Sequence, residues 1–286
     1  MAVRVLVPGD EEALGRFLAQ HADTSMFLRS NLLAGGLVDC GETRQGTYAG
    51  VWDGEALCTV AAHFWNGMVI VLGSVELETA VARAVKWSGR DVSGFAGPWD
   101  QVVRARAALG PAQAPARKDS CEDLFALALT DLRIPEPLSR GECEVGPPRA
   151  EEISGLVQWR VEYGVETLGD MRGPEQEERC RRNILDYQAR GAAWIARVAA
   201  RPVSFSGFNA MVPDAVQIGG VYTPPELRGK GYGRCAVAGS LVAAQAQGVS
   251  RSILFTGKDN VAARRAYLAL GYRIVGEYGL VLLAEH

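Results

Sequence analysis

The chain has 286 residues, 48% of them hydrophobic and 22% charged, and carries a net charge of −3. That is enough material to build two cored domains without disulfide or metal staples. The slight acidity gives no support for nucleic-acid binding, although residues 145–286 are the more basic part and so the better place for an anionic ligand.

Residues 3–7 read as a strand ended by Pro8-Gly9-Asp10, and helical patterns follow over 10–21 and 24–34, the second closed by Gly35-Gly36. Residues 48–52 lead through Asp53-Gly54 into a run, 56–75, without Asp, Glu, Lys or Arg. That run is long enough to span a bilayer. Asn66-Gly67 in its middle is a type I′ hairpin signal, however, and Cys58, Val60, Ala62 and Phe64 alternate before it. Two paired strands are therefore expected, not a membrane helix. A helix over 76–87, a strand over 92–95, a helix over 98–109 and an apolar strand over 124–130 complete the first half. The breaker-rich stretch from Ile134 to Gly141 then marks a boundary, giving a domain at 1–133, a linker at 134–144 and a second domain at 145–286.

The second half repeats the order. A strand over 142–145 precedes helices over 151–163 and 174–190, and strands over 194–198 and 203–210 are joined at Ala200-Arg201-Pro202. A strand over 215–221, a helix over 231–247, a strand over 251–255 and a helix over 260–270 follow, with a last strand or strand pair over 272–283. Each half reads β-α-α-β-β-β-α-β-α-β: an α/β fold in two copies, each a central mixed sheet flanked by helices.

Cys40, Cys58, Cys121, Cys143, Cys180 and Cys235 are scattered and read as buried or free thiols of a cytoplasmic protein, not as a disulfide framework or zinc site. With histidine confined to His21, His63 and His286, the second half has little material for a metal centre or a Ser-His-Asp triad. No basic stretch followed by an apolar run opens the sequence, so no secretory signal is expected.

The chemistry concentrates at Arg228-Gly229-Lys230-Gly231-Tyr232-Gly233, between the apolar strand at 215–221 and a helix. Alternating glycines let backbone N–H groups converge on an anion at the positive end of a helix dipole, and Arg228, Lys230 and Arg234 add three cations. A P-loop reading fails because no Ser or Thr follows the lysine. A dinucleotide fingerprint fails because the glycines are wrongly spaced and lie after a late strand. The pattern Arg-x-x-Gly-x-Gly instead resembles the pyrophosphate loop of the GNAT superfamily, the acyl-CoA-dependent N-acyltransferases. Downstream, Asn260-Val-Ala-Ala263-Arg-Arg-Ala-Tyr267-Leu-Ala-Leu-Gly271-Tyr272 is similar to that superfamily's N-x-x-A-x-x-x-Y-x-x-x-G-[FY] signature, at the expected distance and after a strand.

The resemblance implies two GNAT-like domains, acetyl-CoA as co-substrate, no metal, and a primary amine that attacks the acyl group directly. It implies that Val221, Tyr222 and Thr223 hold the pantetheine arm, with the Val221 N–H polarising the thioester carbonyl. It places the pyrophosphate on the amides of Gly229, Lys230, Gly231, Tyr232, Gly233 and Arg234, beside Arg228. Asn260 would contact the pantetheine arm or position a water, and Tyr267 would protonate the departing thiolate. On the residues alone, Asn260 also reads as a helix N-cap and Tyr267 as a core aromatic. Glu162 and Glu166, with Tyr163, fall in the helical region that borders the acceptor pocket in this superfamily; they are general-base candidates or simply a solvated face. Gln217 and Tyr222 lie on the cofactor strand, where many relatives carry a Glu, so the sequence offers no carboxylate base on that strand; Asn209 ends the neighbouring strand and is a candidate to face the pocket. In the first half, Val71 to Glu76 stand where a pyrophosphate loop would be and lack its arginine and glycine spacing, so that half reads as a degenerate copy. Tandem members of this kind occur in the superfamily. The alternative is a non-catalytic acyl-CoA-binding or regulatory module. No nucleic-acid or membrane partner is expected, and a homodimer stays open.

Overall fold

The computed structural model describes residues 1–110 and 114–284, and the chain divides into two compact units. The first comprises Met1–Asp123 and the chain from Gly276 onward; the second is Leu124–Val275.

In the first unit β1 (Ala2–Val5), α1 (Glu11–Gln20) and α2 (Met26–Gly35) precede the strands β2 (Gly46–Asp53), β3 (Ala56–Phe64) and β4 (Met68–Leu72). Then come α3 (Leu77–Ser88), β5 (Gly94–Pro98), α4 (Trp99–Ala108) and β6 (Ala116–Ala128). Strands β1 to β4 pair antiparallel in succession and β4 pairs parallel with β5. Leu77, Ala80, Val81 and Ala84 recur at helical spacing on α3 and are buried with Val51, Val69, Val71, Phe95 and Val102 in one apolar cluster. The uncharged run is thus the β3–β4 hairpin, and no helix among the described residues is long and apolar enough to cross a membrane. Its turn differs from the two-residue type I′ that Asn-Gly suggests. Gly67 N–H closes on Phe64 O at 2.9 Å, and within Trp65-Asn66-Gly67 only the glycine has a positive φ, 77°. This is a three-residue turn that uses glycine for its left-handed position. His63 is buried on β3, its Nε2 donating to Gly67 O at 3.2 Å and its Nδ1 2.6 Å from Ser88 Oγ.

In the second unit α5 (Glu136–Ser139) and β7 (Glu144–Gly146) lead to α6 (Ile153–Tyr163), which a π-turn at Gly164–Leu168 extends. There follow α7 (Pro174–Ala189), β8 (Ala193–Val198), β9 (Arg201–Val212), β10 (Ala215–Tyr222), α8 (Tyr232–Ala246), β11 (Arg251–Gly257), α9 (Val261–Ala269) and β12 (Arg273–Leu283). Strands β7 to β10 pair antiparallel in succession and β10 pairs parallel with β11. The two halves of the sequence therefore repeat both element order and pairing sense. Their cores are distinct: the second is built from Leu156, Val161, Ile184, Phe205, Ile218, Val237, Leu241 and Leu254.

Where the units divide is not where the sequence suggests. The boundary falls inside β6, between Asp123 and Leu124, and not in the 134–144 connector. Residues 116–123 include Arg117, Lys118, Asp119, Glu122 and Asp123, a composition that hides the first part of that strand. Its apolar end does what its pattern implies, with Phe125 and Leu127 buried in the second core. At the other end of the chain a single strand, β12, takes its last residues out of the 145–286 domain. Val281 and Leu283 are buried in the first core, and β12 pairs antiparallel with β5 from Tyr278↔Pro98 to Leu282↔Gly94. The β8–β9 hairpin also turns earlier than expected, at Ala199-Ala200, with φ of 48° and 62° and Val198 paired to Arg201.

Candidate active site

Strand β10 frames the site. Its parallel pairing with β11 runs only from Ala215↔Arg251 to Gln217↔Ile253, although the strands continue to Tyr222 and Gly257. Past Gln217 the two strands part. On its other side β10 stays with β9 but slips register between Gly219↔Gly207 and Tyr222↔Phe205. Three steps on β10 there oppose two on β9, and Gly220 sits in this bulge at φ 63°, a left-handed conformation that costs glycine nothing sterically.

The chain leaves β10 by a short turn at Pro225–Leu227 and enters the glycine loop. Gly229 and Gly231 have φ of 80° and 81°, and Gly231 is the residue that caps α8. Left-handed residues at alternate positions turn successive N–H groups toward one side, the backbone concavity that binds anions. Among the described residues no hydrogen bond is donated by the amides of residues 229–234, so they stand open at the N-terminus of a 15-residue helix. Lys230 and Arg234 are exposed and have no ion-pair partner among the described residues. The loop is braced from below. Ser204 Oγ donates to Tyr222 O and lies beside Thr223 Oγ1, both at 2.9 Å, and a Cβ on Gly233 would meet Thr223 Oγ1 at 3.4 Å.

Arg228 does not serve this cradle with its side chain. Nε donates to Thr223 O at 2.9 Å, Nη2 pairs with Glu166 Oε2 at 2.6 Å, and the guanidinium lies 5.7 Å from the Tyr222 ring centre. The Tyr222 hydroxyl donates to Glu166 Oε1 at 3.4 Å, and burial followed by the Glu166 charge pushes its phenol up from the ordinary value. Glu166 is brought there by the π-turn at the end of α6, a local widening of the helix found often at functional sites. Glu162 is engaged differently. Arg172 holds both of its oxygens, at 2.6 and 2.5 Å, and these hydrogen bonds keep its carboxyl below the usual range, which makes it a poor proton acceptor. The structure thus separates two carboxylates that the sequence groups.

Asn260 is the N-cap of α9, its Oδ1 accepting the Ala263 N–H at 3.1 Å. Tyr267 is buried, with ring centres of Phe125 and Tyr272 each 5.9 Å away in edge contact. It belongs to the apolar cluster against which Val221 and Ala263 also pack.

One group behind the bulge is absent from the sequence reading apart from Asn209. The Tyr187 hydroxyl donates to Asn209 Oδ1, and Arg160 Nε donates to Asn183 Oδ1 at 2.8 Å. Asn209 lies across Gly219, its Nδ2 1.9 Å from where a Cβ would stand. The only signal in the sequence was the pair Gly219-Gly220 inside an apolar strand, which marks a bulge or a close approach.

The profile of the acetyltransferase (GNAT) family matches residues 156–272, which contain the glycine loop, Glu162, Glu166, Asn260 and Tyr267. That stretch is similar to a GNAT acetyltransferase domain. A GNAT-family acetyltransferase from Colwellia psychrerythraea is 13% identical, with 99% of this chain and 100% of that one aligned at a TM-score of 0.54. A tandem GNAT protein from the clavulanic acid biosynthesis pathway is also 13% identical, covering 99% and 98% at a TM-score of 0.54. A Drosophila protein reaches a TM-score of 0.68 at 12% identity, with 98% of both chains covered. At these identities the likeness is one of fold, and it extends over both units. No curated protein sequence matches the chain. Within the matched stretch, the open amides of 229–234 follow the parted edge of β10, an anion cradle after free strand backbone.

Proposed function

We propose that the protein moves an acetyl group from acetyl-CoA to a primary amine by direct attack, in the cytoplasm, using the second unit alone for the chemistry. The single observation that carries this reading is the run of unbonded amides at 229–234 opening beside the parted edge of β10. Acetyl-CoA supplies the activated acyl group and a thiol leaving group. Gly229, Lys230, Gly231, Tyr232, Gly233 and Arg234 hold the pyrophosphate through backbone N–H groups, with Lys230 and Arg234 adding charge. Val221, Tyr222 and Thr223 pair with the extended pantetheine arm as a neighbouring strand would, and the Val221 N–H stabilises the developing oxyanion. Arg228 acts one step removed, fixing Glu166 and the strand exit at Thr223. Glu166, not Glu162, is the carboxylate assigned to take the amine proton: Arg172 holds both oxygens of Glu162, whereas Arg228 holds one oxygen of Glu166 and the other has only the 3.4 Å contact from the Tyr222 hydroxyl. Asn260 caps α9 with its oxygen and offers its amide NH₂ to the arm. Tyr267 returns a proton to the departing thiolate. The first unit is read as the degenerate copy, because its β4–α3 connection, Gly73 to Glu76, has no comparable loop.

Thiol release from acetyl-CoA with a panel of amines tests the reading. Tyr267→Phe should lower turnover by about 10²-fold or more while leaving acetyl-CoA affinity unchanged. Undiminished turnover would remove Tyr267 from its role. Acetyl-CoA binding with no amine-dependent release would make the protein a binding module instead.

A further inference from the structure

The polar group behind the β10 bulge has one donor with no acceptor. Arg160 on α6 gives Nε to Asn183 Oδ1 at 2.8 Å, and its guanidinium lies 4.9 Å from the Tyr163 ring centre. Its Nη1 is buried and makes no hydrogen bond, and no carboxylate pairs with the residue among the described residues. A buried cationic donor left unmade is strongly unfavourable, so such a group calls for a missing partner. The surroundings do not supply one. The Tyr187 hydroxyl gives its proton to Asn209 Oδ1 and makes no hydrogen bond with Nη1, and the Asp186 carboxylate is already paired with Arg190 at 2.8 Å. The free donor faces the bulge: Nη1 lies 3.8 Å from the position a Cβ would take on Gly220.

We propose that Arg160 is the specificity-determining residue of the acceptor pocket and that the amine acceptor carries a carboxylate. The inference rests on the acetyl-transfer reading above. A planar guanidinium matches a carboxylate better than any neutral group, and one unpaired cation suits a single negative charge. Position sets the length of the acceptor. Gly220 is the chain neighbour of Val221, whose N–H is assigned to the thioester carbonyl, and adjacent residues lie about 3.8 Å apart. A carboxylate on Nη1 therefore sits only a few bonds from an amine nitrogen poised at the acyl carbon. That spacing fits an α-amino acid or a close homologue. Polyamines and lysine side chains within proteins lack the group and would leave the guanidinium unpaired. A side chain at Gly220 would lie against Nη1, the Phe205 ring and the Tyr187 hydroxyl.

The test uses the full chain at saturating acetyl-CoA, with the common amino acids, their amides and the corresponding decarboxylated amines as matched sets. The expected result is a kcat/KM for at least one amino acid about tenfold to a hundredfold above both of its partners, the range that a hydrogen bond to a charged group supplies. Arg160→Met and Arg160→Lys should erase that margin through KM, with acetyl-CoA affinity held at the parent value. Arg160→Lys keeps the charge and loses the fork, so it remains informative if the methionine variant folds poorly. Equal rates across every matched set, or a margin that survives both substitutions, would overturn the proposal. Calorimetric binding of the same sets in the presence of CoA distinguishes the two readings. Amino-acid binding that depends on Arg160 but yields no thiol defeats acetyl transfer and keeps the carboxylate site, whereas turnover of decarboxylated amines alone does the reverse. No binding of any amino acid overturns the site.

Discussion

A methyl group added at Gly219 has no room while Asn209 keeps its place. The Cβ position is 1.9 Å from Asn209 Nδ2, 2.3 Å from its Cγ and 2.5 Å from its Oδ1, against an ordinary heavy-atom contact of about 3.5 Å. Gly219 does not occupy the left-handed region, so alanine is conformationally permitted and the cost lies in the collision. Asn209 is exposed and can swing into solvent, but it then deserts the hydroxyl of the buried Tyr187. A buried donor stripped of its acceptor costs about 1–3 kcal/mol. Gly219→Ala should therefore lower the unfolding free energy by about 1–3 kcal/mol, read as a shifted urea midpoint at constant slope. Asn209→Ala removes the same acceptor and should cost about as much. The double variant should lose little beyond Asn209→Ala alone, leaving a coupling of about 1–3 kcal/mol. Simple additivity of the two losses would refute the account, because it would mean that the methyl group destabilises by some route other than Asn209.

Two further outcomes follow from the backbone and from burial. Ala200→Gly should raise the melting temperature, since the left-handed conformation costs an L-residue about 1–2 kcal/mol and glycine's greater unfolded-state freedom offsets about 0.4–1 of it; an unchanged or lower melting temperature would count against the two-residue turn. Burial holds the His63 imidazole below its ordinary value of 6.5, with smaller opposing and reinforcing contributions from Gly67 and Arg90. Its contribution to stability is then complete above pH 6.5 and is lost as pH falls from there through the depressed value, because the unfolded chain takes up the proton first. His63→Gln should remove that step from melting curves recorded between about pH 8 and pH 5, while the decline from carboxylates at lower pH persists.

The donor end of the site is legible in the sequence because it is local. Residues 228–234 and 260–272 are contiguous, and the conformations that matter there belong to residue types: glycine at φ of 80° and 81°, asparagine at a helix cap. What Arg228 does with its side chain is not local, since its partner Glu166 comes from a different helix and arrives only through a π-turn that no composition announces. The same holds on the acceptor side. Arg160, Asn183 and Tyr187 each read alone as ordinary polar residues of amphipathic elements, Asn209 alone is offered by its strand end, and only packing brings α6, α7 and β9 to one bulge. Element order in both halves was readable from periodicity, whereas the division of the chain was not. The polar first part of β6 masks a strand, and β12 looks like a continuation of the domain it leaves.

The parting of β10 from β11 after Gln217 has a thermodynamic side. A sheet that stops bonding across one of its inner seams lacks rungs, and a guest lying in the seam supplies them only to the folded chain. Occupancy there raises the folding free energy by RT ln(1 + [L]/Kd), so each tenfold excess of guest over its dissociation constant adds about 1.4 kcal/mol. Heat resistance thus becomes a gauge of what fills the seam, readable before any reaction has been observed.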